Sequence, residues 1–208
     1  MTNKLAVFDF DSTLMDGETI EFFAREVGIE EKVKLITDRT MRGELDFFES
    51  LTERVSFLKG LPVSKTDEIC QNLPLMNGAI EAVNGLKEKG YKVVCFSGGF
   101  RNATGLFVEK LGLDGEFSNI LHVKNGILTG KVGGEMMFND SKGQMLMKLQ
   151  KLLNVTTENT IAVGDGANDL SMFKYASKKA AFCAKPIVKE NANIIIENKN
   201  LAEILYYC

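Results

Sequence analysis

Several residue types and patterns are scarce in this chain, and each scarcity narrows what it does. Among 208 residues there is one histidine, His122. It sits in a hairpin pattern where an outward-facing or packed ring suffices, so it is assigned no role. The four cysteines, Cys70, Cys95, Cys183 and Cys208, are scattered and form no C-x-x-C pair. Their spacing therefore supplies neither a zinc site nor a disulfide framework, and they read as free thiols of a reducing compartment. No apolar run is long enough to span a bilayer, and the N-terminal one is cut by Asp9, which argues against a signal peptide. A charge excess is also missing, with 25 Lys plus Arg against 28 Asp plus Glu. A basic face for nucleic acid or anionic membrane is thereby excluded, and any basic cluster must face a small anion locally. There are no repeats and no low-complexity linkers. The expectation is a cytoplasmic protein, monomer or homodimer, whose partner is a small molecule.

What is present is a core-forming composition, 45% hydrophobic, in a length that fits one large domain or one ordinary domain with a smaller companion. Strand-like runs recur as LAVF at 5–8, YKVVCF at 91–96, TIAVG at 160–164, AAFCA at 180–184 and NIIIE at 193–197. Helical patterns separate most of them, which predicts an α/β fold with a parallel sheet. The stretch ILHVKNGILTGKV at 120–132 reads as an inserted antiparallel hairpin turning at Asn125-Gly126. From about Met15 to Leu75 the pattern is helical throughout, with stops near Gly28, Gly43 and Gly60. Asp46 with Glu49 reads as a capping pair. The predicted organisation is an α/β core of residues 1–14 and 76–208, interrupted by a helical unit of residues 15–75.

The first strand poses a chemical problem. An unbroken apolar run, as in a strand buried on both faces, leads directly into Asp9 and Asp11. Period-two geometry puts both carboxylates on one side, with Cα atoms roughly 6.5 Å apart if the strand stays extended. Carboxylates so close need a cation, or one of them must hold a proton. Asp165 follows a second buried strand in GDGAND, and Asp169 comes four residues later. That segment is no dinucleotide fingerprint, because Asp169 stands where glycine belongs and acids there would repel a pyrophosphate. Carboxylates converging at one sheet rim instead form a hard oxygen site suited to Mg²⁺. Ser97-Gly98-Gly99 ends another core strand before a helix, offering a hydroxyl and free N–H groups to an anion. Lys142 stands in the first turn of a predicted helix, where its charge opposes the helix dipole.

Together these groups are the parts needed to move a phosphoryl group through a carboxylate. Asp9 attacks phosphorus, and Asp11 protonates the leaving oxygen and then activates water. Mg²⁺ and Lys142 neutralise the phosphoryl oxygens. A signalling module that stores its phosphoryl group uses similar parts, but an acid two residues past the nucleophile would promote hydrolysis instead.

The stretches FDFDSTL, SGGF, the lysine of NDSKGQ, GDGANDLSMF and AFCAKP closely resemble the phosphoserine phosphatases of the haloacid dehalogenase-like superfamily. The resemblance runs from about Lys4 to the C-terminus with the motifs in order. It implies a Rossmann-like core with a small helical cap after the first strand. It also implies Mg²⁺-dependent hydrolysis of phosphoserine, the last step of serine biosynthesis. A related small phosphomonoester, such as phosphothreonine or a phosphorylated amino alcohol, is the alternative substrate. By the same resemblance Asp9 is the nucleophile and Asp11 the general acid and base. Asp9, the Asp11 backbone carbonyl and Asp165 hold the metal, supported by Asp169 and by Asn168, which also belongs to the substrate site. Ser97, Gly98 and Lys142 bind phosphate. Glu18 and Arg54 hold the substrate's ammonium and carboxylate, with Met41 and Phe47 as apolar lining. Read as helix positions alone, Glu18 and Arg54 are charges that face solvent or pair with each other. Some relatives carry an N-terminal regulatory domain, and with Asp9 so near its start this chain is expected to lack one.

Overall fold

In the computed structural model, which describes residues 3–208, strand β1 (Lys4–Phe8) lies at the centre of a seven-stranded sheet. Its neighbours are β2 (Tyr91–Phe100) and β5 (Thr160–Gly164), both parallel to it. Beyond β5 lie β6 (Lys178–Phe182) and β7 (Ile194–Ile196), also parallel. On the other side β3 (Gly115–Lys124) pairs parallel with β2, and β4 (Ile127–Gly134) closes the sheet antiparallel to β3.

The hairpin is therefore not an insertion but the edge of the main sheet. Its first half, GEFSN, escapes a hydrophobic reading because only Phe117 in it is apolar. The strand before Ser97 also runs further than its apolar stretch, continuing through Gly98 and Gly99 to Phe100. The helix after it opens only at Arg101, so the expected helix start beside Ser97 is absent. The N–H groups near Ser97 belong instead to a strand whose pairing with β3 shifts between Phe96 and Phe100.

The apolar run of β1 has a simple cause. Ala6 and Phe8 point into one core layer and Leu5 and Val7 into the other, all of them 0% exposed. A strand covered on both faces has no polar side to alternate with. One layer holds the aromatic side chains Phe10, Phe23, Phe100 and Phe107, with Phe10 edge-on to Phe107 at 4.8 Å between ring centroids. On the opposite face, helix α7 (Ser141–Leu153) contributes Leu146 and Leu149.

Between β1 and β2 come α1 (Thr19–Glu26), α2 (Glu30–Met41), α3 (Phe47–Ser56), α4 (Val63–Gln71) and α5 (Ala79–Glu88). Acids open α1 and α2 and arginines close them, matching the helix dipole at both ends. Asp46 caps α3 by accepting a hydrogen bond from the Glu49 backbone N–H at 3.0 Å. The chain leaves β1 and returns along paired crossings, where Asp16 N donates to Pro74 O and Met76 N to Leu14 O, each at 3.0 Å. Helix α6 (Arg101–Leu111) follows β2, and the short α8 (Leu170–Phe173) and α9 (Pro186–Lys189) follow β5 and β6. No helix among the described residues is long and apolar enough to cross a membrane, and the four cysteines are free.

Phe107 joins β1 to α6 through the Phe10 ring, so Phe107→Ala should cost about 3–5 kcal/mol of stability, the range for emptying a packed aromatic site. Urea unfolding measures it, with Leu152→Ala as the comparison. Leu152 is 79% exposed, and its removal should leave the midpoint nearly unchanged.

Candidate active site

The register of the central strands gathers the polar ends. Phe8 pairs with Cys95 on one side and with Val163 on the other. Asp9 comes one residue after Phe8, Ser97 two after Cys95 and Asp165 two after Val163, so all three meet at one sheet edge. Ligands of parallel sheets bind at this carboxyl edge. Helix α7 brings in Lys142. Its next residue, Gly143, lies so close to α8 that an added Cβ would sit 2.6 Å from the Ser171 carbonyl oxygen. A glycine there lets the first turn of α7 dock, and Gly143 N donates to Ser171 Oγ at 3.1 Å.

Lys142 is 2% exposed, and its Nζ lies 2.6 Å from both Asp9 Oδ1 and Asp169 Oδ1. A lysine in a first turn is unfavourable for the helix, and these two buried carboxylates are the reason it is there. Burial alone would lower its proton affinity, but Asp169 and Asp9 outweigh that and hold it above the ordinary value. Asp9 Oδ1 also accepts from Phe10 N at 2.6 Å. Asp169 Oδ2 accepts from Asp165 N and Gly166 N at 3.0 and 3.1 Å. Both oxygens of Asp169 are thus used by protein donors, whereas Asp9 keeps one oxygen free. Among the described residues nothing donates to the Asp165 carboxylate.

A narrow cleft opens beside this group. Of the residues singled out from sequence, Asp9, Asp11, Glu18, Met41, Phe47, Arg54, Gly98, Asp165 and Asn168 line it. Ser97, Lys142 and Asp169 form the wall behind, at 0%, 2% and 0% exposure. Ser97 Oγ accepts from Gly99 N at 2.9 Å, which leaves its own proton to donate. The helices α1–α3 roof the cleft: the tip of the Phe47 ring points at Gly98, where any Cβ would collide with it, and Met41 rests on Gly166. Phe48 stacks on Phe138 with ring centroids 5.2 Å apart, and Asp38 pairs with Lys185 at 3.1 Å, tying helices to the loops beneath.

Arg54 is 3% exposed, and among the described residues no carboxylate lies within ion-pair distance. Its guanidinium donates only to Ser50 O at 3.2 Å and Thr37 Oγ1 at 2.9 Å. Burial lowers its proton affinity, while Glu18 and Asp11 pull it back up from a distance. Glu18 accepts from Ser12 Oγ at 2.9 Å, and burial together with repulsion from Asp11 and Asp165 raises its pKa well above the usual range. Arg54 is therefore closed off from solvent and Glu18 is half-buried, and the two do not pair with each other.

Asp9, Asp11, Glu18, Asp165 and Asp169 stand here against Lys142 and Arg54, with Lys185 acting on Asp165 from further off. Burial raises Asp9 and Asp11, and raises Asp165 to about 7; neighbouring carboxylates add to the rise at Asp9 and Asp165, whereas the hydrogen bonds from Thr19 offset part of it at Asp11. Such an excess calls for a cation. Asp9, Asp165 and Asp169 offer carboxylate oxygens within 4.8 Å of one another. Every donor is a hard oxygen, and Asn168 Oδ1 is buried with no partner. These residues fit a small divalent metal, with Asp9 and Asp165 supplying free oxygens and Asp169 holding the loop.

Sequence reasoning missed Ile20 and Leu51, which add apolar lining, and Thr19, which donates twice to Asp11. None has a local signature, because each acts through a partner that folding supplies. Within the quoted FDFDSTL and SGGF stretches, Ser12 donates to Glu18, Phe100 adds apolar lining and Gly99 leaves room for the Asp11 carboxylate.

A sequence model of the haloacid dehalogenase-like hydrolases matches residues 3–177. A phosphoserine phosphatase of Wolinella succinogenes is 61% identical over 97% of this chain and 98% of its own length. One from Methanocaldococcus jannaschii is 52% identical over 98% and 97%. Two solved structures, a phospho-aspartyl intermediate analogue of phosphoserine phosphatase and a substrate-bound phosphoserine phosphatase complex, each superpose with TM-score 0.97. Both are 51% identical over 100% of this chain and 99% of theirs.

The Asp165 carboxyl makes metal-free stability depend on pH in an unusual direction for an acid. In the unfolded chain it loses its proton near 3.8, in the folded chain only near 7. Below pH 4 its burial costs little. As pH rises toward 7 the unfolded state alone releases the proton, so stability falls, and above 7 the full cost remains. In chelator, Asp165→Asn should be more stable than the unsubstituted chain at pH 8, on the order of 2–4 kcal/mol. The gain should vanish near pH 4. Urea titrations at both pH values measure it, and added Mg²⁺ should stabilise the unsubstituted chain more than the variant.

Proposed function

The chain belongs to the haloacid dehalogenase-like hydrolases, and we propose that within them it hydrolyses O-phosphoserine to serine and phosphate, the closing step of serine biosynthesis. The observation that carries the substrate is the cleft's pairing of a buried, carboxylate-free Arg54 with an unpaired Glu18. A guanidinium buried without an anion is costly, and a ligand carboxylate relieves that cost. Glu18 supplies the complementary acceptor for an ammonium. An amino acid carries both groups; a phosphorylated amino alcohol lacks the first.

In this reading helices α1–α4, within residues 15–75, act as a cap over the α/β core. The phosphate lies against Ser97, the Gly98 backbone and Lys142, and Met41 and Phe47 enclose the substrate's carbon atoms. Asp9 attacks phosphorus as the bond to the serine oxygen breaks, giving an aspartyl phosphate. Asp11 delivers its proton to that leaving oxygen, then as carboxylate takes a proton from the water that attacks the same phosphorus. Phosphate leaves and Asp9 is regenerated. Asp9, the Asp11 backbone carbonyl and Asp165, with Asp169 and Asn168 in support, would hold Mg²⁺, which would supply charge neutralisation toward the phosphoryl group. Lys142 favours the ionised form of Asp9 against the effect of its burial and holds it in place for attack. The four free cysteines suit a cytoplasmic setting.

Two measurements test this. Asp9→Asn should abolish turnover and leave no acid-stable, hydroxylamine-sensitive phosphoenzyme; normal phosphoenzyme formation would identify another nucleophile. Arg54→Ala should lower kcat/KM for phosphoserine by roughly 30-fold to several thousand-fold, the loss expected when one partner of a closed charge pair goes. Phosphoethanolamine, with no carboxylate, should start as a poor substrate and change far less. Equal losses on both would remove the amino acid from the reading.

A further inference from the structure

Asp11 is held in an unsymmetrical way. Thr19, the first residue of α1, donates both its backbone N–H and its hydroxyl to a single oxygen, Asp11 Oδ1, at 2.7 and 2.6 Å. Thr19 itself is 0% exposed and donates that hydroxyl nowhere else. The other oxygen, Oδ2, receives no hydrogen bond among the described residues. It lies on the Gly99 side, 2.6 Å from where a Cβ on Gly99 would stand, in the strand that also carries Ser97 and Gly98. One oxygen of the carboxyl is thus occupied, and the other is turned toward the cleft that Gly99 lines.

We infer that Thr19 is a positioning residue for proton transfer, clamping Asp11 Oδ1 so that the transferable proton sits on Oδ2 and faces the leaving oxygen. This rests on the role given to Asp11 above. An oxygen that accepts two short hydrogen bonds acts as the carbonyl end of a carboxylic acid, because a proton placed there would oppose the backbone N–H, which cannot reverse, and would forfeit the donation from the hydroxyl. The proton is thereby confined to Oδ2. In the transfer the Oδ2–H bond breaks as an O–H bond forms on the leaving oxygen, which also keeps the electron pair of its broken bond to phosphorus. In the second half, Oδ2 is the free base that receives the proton from water. Because Thr19 opens α1, the clamp also fixes the catalytic acid to the first helix over the cleft. Asp11 is presented correctly only while that helix is seated.

The clamp predicts a dependence on the leaving group. Thr19→Val keeps the shape and the backbone donor but loses the hydroxyl, and Thr19→Ser restores a hydroxyl without the methyl group. For phosphoserine, whose alkoxide leaving group needs the proton, Thr19→Val should lower kcat/KM roughly 10- to 100-fold. For nitrophenyl phosphate, whose phenolate leaves unaided, the loss should stay within about threefold. Thr19→Ser should recover most of the phosphoserine rate, and Thr19→Ala should behave as Thr19→Val does. Asp11→Asn, measured on the same two esters, separates the two levels of inference. Unequal losses in Asp11→Asn beside equal losses in Thr19→Val and Thr19→Ala would overturn the clamp alone. Equal losses in all three would overturn the acid role of Asp11 and the clamp with it. Failure of Thr19→Ser to recover the rate would assign the effect to packing and likewise overturn the clamp.

Discussion

The contact between Lys142 and the two carboxylates of Asp9 and Asp169 is the constraint on which the rest of the site depends. A buried lysine shared by two acids is stable only as a complete set; removing one member of a buried ion pair typically costs about 3–5 kcal/mol. The set links three separate pieces of chain: the end of β1, the first turn of α7 and the loop after β5. Gly143 brings the helix in, the Asp165 and Gly166 N–H groups hold Asp169, and Phe10 N holds Asp9. The nucleophile proposed for this chain is thus fixed by the same interactions that pin its core elements together.

That arrangement leaves a deliberate imbalance. Lys142 satisfies only part of the negative charge, and among the described residues the Asp165 carboxylate and the second oxygen of Asp9 have no partner. The fold therefore carries an electrostatic cost until a cation arrives, which is the usual relation between a preorganised site and stability. The roof repeats the logic with the opposite sign: Arg54 is buried with only a carbonyl and a hydroxyl as acceptors. Core and roof are each incomplete toward the space between them. A ligand bearing a phosphate at one end and a carboxylate and ammonium at the other completes both.

The core and the roof are also connected through the acid. Thr19 and Glu18 start α1, yet their partners, Asp11 and Ser12, belong to the turn leaving β1. Ser12 adopts φ 59°, a left-handed conformation uncommon outside glycine, and its hydroxyl reaches Glu18. The turn that leaves the sheet is thus tied, through Asp11 and Ser12, to two successive residues at the start of one helix, Glu18 and Thr19; in the reading proposed above, this orients both the substrate-facing acid and the proton-transfer group.

Much of this was legible in the sequence because it depends on local spacing. Apolar runs without alternation mark strands covered on both faces, and glycine stops divide the helices; the extended spacing expected of Asp9 and Asp11 does not hold, because β1 ends at Phe8 and the chain turns after it. The family resemblance named Asp9, Asp11, Ser97, Lys142, Asp165 and the roof residues, and folding brings all of them to one cleft or its wall. Local spacing could not decide how far β2 and β3 extend, since Ser-Gly-Gly and GEFSN have no hydrophobic signature and become strand only by pairing with each other. Nor could it decide whether Glu18 and Arg54 are solvated, paired or held apart, because that depends on which helix faces the sheet. The partners of Asp11 and Glu18, the depth of Lys142 and the empty valences of Asp165 are likewise products of tertiary structure. Burial and the direction of a hydrogen bond are set by groups distant in the chain, and no single stretch of sequence contains them.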